Sequence, residues 1–134
     1  MRRRAGAGDD RGSSPVDFIL VGALLTTLTL AVLQLGFALY VRNVVHDAAV
    51  EGAHYAALAD TTLQEGAERT RVSITRAVGG SFADDVTVTE SDRLGHPTAV
   101  VTVRATLPII GLLGIPYGLE VDADAPLESL GEAG

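Results

Sequence analysis

From Phe18 to Val41 the chain carries no charged side chain, a run of 24 residues. About 20 apolar residues suffice for a helix to cross the hydrocarbon layer of a bilayer. Hydrophobic residues make up 47% of the 134 positions, yet aromatics only 4%, because the apolar content is concentrated in this one stretch. What is left is too short to close a deep pocket, which weighs against an enzyme. A cleaved secretory signal would have an apolar region of about 7–15 residues and a small-residue cleavage site. Here the run is longer, and Arg42-Asn43-Val44-Val45-His46 follows it.

Charge is distributed unevenly about this segment. Arg2, Arg3, Arg4 and Arg11 precede it. From Ser13 onward six arginines face fifteen acidic residues, a net −9. Four arginines against the single Arg42 orient the N-terminus to the cytoplasm and the acidic body outside the plasma membrane. An acidic body also lacks the basic face that nucleic acid requires. The chain has neither cysteine nor lysine, which removes disulfides, thiolate chemistry and a phosphate-binding P-loop. Histidines 46 and 54 stand eight residues apart, too far along a helix to share one ion easily, so neither metal nor cofactor is expected.

Helical periodicity continues past the apolar run. Val41, Val44, Val45, Ala48, Ala49, Gly52, Ala56 and Ala59 recur at steps of three and four. Ala48-Gly52-Ala56 and Ala49-Ala53-Ala57 form two rows of small residues, which let another backbone approach closely. Asp60-Thr61-Thr62 breaks this helix, and Thr62 with Glu65 makes a capping box that starts a second. Leu63, Ala67, Thr70, Ile74, Ala77 and Val78 form its expected apolar face, and Gly79-Gly80 its end.

The period then changes to two. Val86 and Val88 alternate with threonines, as do Val101, Val103, Ala105 and Leu107 with polar residues. The turn-rich Asp92–Pro97 between them predicts an antiparallel hairpin. Leu119, Val121, Ala123 and Ala125 predict a third strand. The apolar stretch joining the last two (107–116) reads either as a cap on the core or as an exposed patch for a partner. The expected architecture is α+β. It comprises a basic leader (1–12), a membrane-spanning and extended helix (13–60), a small extracytoplasmic domain with about three strands (61–126) and a disordered tail (127–134).

At the boundary, Gly12-Ser13-Ser14-Pro15-Val16-Asp17-Phe18 sets a carboxylate at the start of the charge-free span. Ser14 and Asp17 make an S-x-x-D capping box with Pro15 in the first turn. On that reading Asp17 complements the helix dipole near the headgroups of an uncleaved anchor carrying a small binding module.

The same residues carry a resemblance. Gly12 with Asp17 five places on, basic residues before and an apolar helix after, resembles a type IV prepilin processing site. Together with Ala48-Ala49-Val50-Glu51-Gly52-Ala53-His54-Tyr55-Ala56-Ala57, the segment resembles the TadE family of minor pilin-like proteins of tight-adherence pilus systems. Asp17 stands where the family usually has Glu, and Pro15 is a further departure. The resemblance implies a non-enzymatic subunit, cut after Gly12 by a prepilin peptidase. It also implies partnership with other pilin-like subunits, the pilus assembly machinery and membrane lipid. Cleavage would create an amine on Ser13, one helical turn from Asp17. In a filament a neighbour's amine could neutralise that carboxylate and set the register of assembly.

Overall fold

The computed structural model describes residues 12–109 and 113–128, with 108, 109 and 113–117 described by their backbone alone. The leader arginines, residues 110–112 of the apolar stretch and residues 129–134 of the tail lie outside the described residues. The chain divides into two compact units, residues 1–35 and 36–134.

Helix α1 (Ser13–Ala57) contributes to both units, and is long and apolar enough to cross a membrane. In the first unit its described side chains point outward almost throughout: Phe18 is 79% exposed and Leu24 68%. Its three span threonines do not leave hydroxyls unsatisfied. Thr26, Thr27 and Thr29 each donate to the carbonyl four residues back at 2.8 Å, as a helix in an apolar medium demands. α1 starts earlier than a Ser14 cap would place it, since Ser13 is already helical. Ser14 and Pro15 are therefore its second and third residues. Proline is tolerated there because the first four N–H groups of a helix have no internal acceptor.

In the second unit α1 changes character. From Val41 onward small and β-branched residues turn one stripe inward, and Val41, Val45, Ala49 and Ala53 are fully buried. The helix stops where Thr61 turns its hydroxyl back onto the Tyr55 and Leu58 carbonyls. Helix α2 (Leu63–Ala77) then begins on the expected capping box. Thr62 Oγ1 accepts from the Glu65 N–H at 3.2 Å, and the Glu65 carboxylate accepts from the Thr62 N–H at 2.7 Å. Of its expected apolar face Ala67, Thr70 and Ile74 are buried, Leu63 and Val78 partly so, and Ala77 is exposed in the last turn. Gly79, at φ +107, accepts a left-handed backbone just past the helix end. A short 3₁₀ turn (Gly80–Phe82), absent from the sequence expectation, tucks Phe82 into the core.

Strands β1 (Asp85–Arg93), β2 (His96–Ile109) and β3 (Leu113–Pro126) form an antiparallel sheet in the order β1-β2-β3. Register aligns Val86, Val103 and Val121 in one row and Val88, Val101 and Ala123 in the next. With Ala99, Ala105, Leu119 and Ala125 they make the apolar face. It shares one core cluster with α2 and the inward stripe of α1. The opposite face is polar: Arg104 pairs with Glu120 at 3.0 Å, and Thr102 donates to Asp122 at 2.6 Å.

Two connections differ from expectation. The β1–β2 turn is only Leu94-Gly95, because Asp92 and Arg93 already pair with Pro97 and His96. Both turn residues have positive φ (56° and 81°), the sense that matches the twist of a two-residue hairpin. Leu94 is an unusual occupant and is fully exposed. In the described part of the apolar stretch 107–116 the backbone is extended: β2 runs on to Ile109 and β3 resumes at Leu113. A register shift after Ala105 lets the ladder continue. Pro116 is admitted because β3 is an edge strand.

Candidate functional site

The first candidate region is the junction before α1. Gly12 precedes the helix, Ser13 opens it, and Asp17 follows one turn later, with Ser13 and Asp17 both exposed. A Cβ added to Gly12 would meet nothing within 4 Å among the described residues. Packing among the described residues therefore places no demand for glycine here. An exposed carboxylate at the mouth of an apolar helix is compatible with headgroup depth, where it keeps its hydration.

The second region lies between α1 and α2, and here the small-residue rows find a place. Ala48, Ala49, Gly52, Ala53, Ala56 and Ala57 are all buried. The backbone facing Gly52 and Ala56 belongs to α2 of the same chain. A Cβ on Gly52 would overlap Thr70 Oγ1 and stand 2.9 Å from the Gly66 carbonyl oxygen. One on Gly66 would overlap the Ala56 methyl and stand 2.8 Å from the Gly52 carbonyl oxygen. The two glycines thus face each other across the crossing, with Thr70 Oγ1 donating to Gly66 O at 3.0 Å.

A polar clasp closes the outer side of this crossing. Glu51 Oε1 accepts from Arg69 at 2.8 Å, and Ser73 Oγ donates to Glu51 Oε2 at 3.0 Å. Arg69 also lies over the Tyr55 ring, 5.9 Å from its centre. The Arg69 hydrogen bond, then that from Ser73, holds the Glu51 carboxyl below the ordinary carboxylate range. The block Glu51-Gly52-Ala53-His54-Tyr55 is thereby explained at three positions: Glu51 as anchor, Gly52 as close approach, Tyr55 as platform. Sequence reasoning placed Thr70 on the inward face of α2 but missed Gly66, Arg69 and Ser73. Gly66 inside an otherwise good helix was their one visible signal, since glycine there is unfavourable unless space requires it.

His46 and His54 are exposed on α1. Among the described residues no three His, Asp or Glu side chains converge as metal ligands.

A family model described as TadE-like protein matches residues 12–54. This segment is TadE-like. The match starts at the Gly12 junction and ends just past Glu51-Gly52-Ala53, so it spans the exposed apolar half of α1 and the α1 side of the clasp. It leaves α2 and the sheet outside the matched residues. No curated protein and no solved structure matches the chain. Among the described residues one helix, near the N-terminus, is long and apolar enough to cross a membrane, which fits a single-pass membrane protein.

Proposed function

We infer that the protein is a non-enzymatic, minor-pilin-like component of a tight-adherence pilus or secretion assembly. It is held in the plasma membrane by α1, with the N-terminus cytoplasmic and residues beyond Val41 outside, and is cut after Gly12 by a prepilin peptidase. One observation carries the reading: the TadE-like match begins at Gly12, whose Cβ position is open, and the next residue starts α1 with Asp17 one turn on. A glycine that packing does not require is well placed to be read by a processing enzyme. Removal of residues 1–12 would leave α1 whole and set an amine at its end. There Asp17 of a neighbouring subunit can pair with it as the helices pack in a filament.

Pro15 and the aspartate at position 17 favour a second reading, an uncleaved anchor presenting the outer domain to a partner. Intact mass of the membrane-extracted protein from cells carrying the peptidase separates them. The pilin reading expects a chain starting at Ser13, and Gly12→Leu should leave only the longer chain starting at Met1. A smaller species that survives Gly12→Leu would overturn processing at this junction.

A further inference from the structure

The sheet has two edges, and they are not equivalent. β1 is paired on one side only, with β2. In an antiparallel ladder the N–H and C=O of a residue point to the same side, and that side alternates along the strand. The two-residue turn closes on the Arg93–His96 pair, so Arg93, Ser91, Thr89, Thr87 and Asp85 bond to β2. Val86, Val88, Glu90 and Asp92 then turn their backbone groups outward. At Val86 the outward carbonyl accepts from Arg71 Nη2 at 2.9 Å, so Arg71 guards the start of the edge. From Val88 on, nothing among the described residues pairs with the outward N–H and C=O of Val88, Glu90 and Asp92.

Exposed edges are usually blunted by proline, a bulge, charge or a covering element. β3 carries such devices. By the same alternation its outward row ends on Pro126, which has no N–H, and its carboxylates are engaged. Glu120 meets Arg104, Asp122 accepts from Thr102, and Asp124 meets Arg93. β1 has no proline and pairs with β2 without a register shift. Its protection rests on Glu90 and Asp92, which are exposed and, among the described residues, have no ion pair or side-chain hydrogen bond. Such charge repels a like edge and attracts an opposite one. The β1 of a second copy would set this acidic row against itself, which disfavours an edge-to-edge dimer.

We propose that the free stretch of β1 takes up an extended basic segment of another protein as a fourth strand beside β1. Register sets the chemistry of that segment. Residues opposite Asp92, Glu90 and Val88 fall at alternate positions, so an antiparallel partner reads basic, any, basic, any, apolar. Its apolar residue meets Val88, which packs against the core cluster. The outward N–H and C=O groups of the three β1 residues supply the main-chain bonds that give strand addition its affinity, and the alternate side chains give it selectivity. Processing at Gly12 has no bearing on this edge.

The probe is a dye-labelled, end-blocked peptide, Thr-Arg-Thr-Arg-Thr-Val-Thr, titrated with the full chain in nonionic detergent micelles and followed by fluorescence anisotropy. Saturable binding is expected. N-methylation of the second arginine, whose N–H faces β1, should weaken it about tenfold, the loss expected for one hydrogen bond. N-methylation of the threonine after it, whose N–H points away, should change nothing. Equal affinity of the two methylated peptides would mean attraction by charge alone and would overturn strand addition. Glu90→Arg exchanges an opposite-charge pair for a like-charge one and should weaken binding about fivefold. Glu90→Pro removes an outward N–H at an edge position that admits proline, and should weaken binding about tenfold. Unchanged affinity in Glu90→Arg would overturn the placement on β1, whether or not the proline variant folds. No binding of the parent peptide would overturn the proposal outright. Self-association of the unsubstituted chain that Glu90→Pro abolishes would put a second copy on this edge and overturn the basic partner.

Discussion

Glycines 22 and 36 lie in the apolar run of α1, and a Cβ on either would meet nothing within 4 Å. Glycines 52 and 66 lie at the α1–α2 crossing, where the same Cβ would collide with a facing backbone. The residue type is the same and so is the local helix, but the reasons differ. In the crossing, glycine is required by a neighbour within the chain. In the run, nothing among the described residues requires it; on the membrane reading proposed above, that space faces lipid or another helix packing in lipid. The small-residue rows follow the same division. Those from Ala48 to Ala57 are occupied by the protein's own fold and are not free to dock a partner helix.

Substitution at these glycines is the sharpest way to break this contrast. Gly52→Leu should destabilise the outer unit by about 3 kcal/mol, the upper end of overpacking, because backbone on the facing helix cannot step aside. Gly36→Leu should leave the same transition in place. Chemical unfolding of the full chain in detergent micelles, followed by circular dichroism, reads both. Equal losses at the two positions would erase the distinction drawn here.

A smaller effect is expected where α2 begins. Thr62→Ala removes the hydroxyl that caps the Glu65 N–H and should lower stability by about 1 kcal/mol in the same measurement. No change would mean that α2 is held by its Gly66–Thr70 face alone.

The clasp should contribute less still. Arg69 and Glu51 are both about half exposed, so Glu51→Gln is expected to cost about 0.5 kcal/mol near neutral pH. Its pH dependence has a definite sign. The folded carboxyl titrates below its unfolded range, so its contribution is present above that range and is lost as pH falls through the folded value. Glu51→Gln should therefore flatten the acid side of the stability profile without moving the alkaline side. Gly36→Ala changes the opposite way, expected to be neutral or to strengthen the helix by up to about 1 kcal/mol.

Much of this was legible in one dimension. The charge-free run, the capping box at Thr62 and the two-residue alternation of the strands are local signals. Each states its structure through spacing, and the helices and three strands stand where those signals put them. The TadE-like segment was legible for the same reason: glycine, acidic residue, apolar run and the Glu51-Gly52-Ala53 block lie on one continuous helix. The length of β2 and β3 was not, since Pro108, Gly114 and Pro116 read as breakers until an antiparallel partner and a register shift accommodate them. The short turn at Leu94-Gly95 was missed because leucine seldom accepts a left-handed backbone.

The sequence by itself determined that one helix would be longer and more apolar than a small fold can bury, and where it would end. Only the tertiary structure decided what its small residues are for. Period and residue size tell that a backbone can come close. They carry no information on which backbone does, because Gly52 and Gly66 are separated along the chain and meet only once the connection at Asp60–Thr62 folds α2 back onto α1.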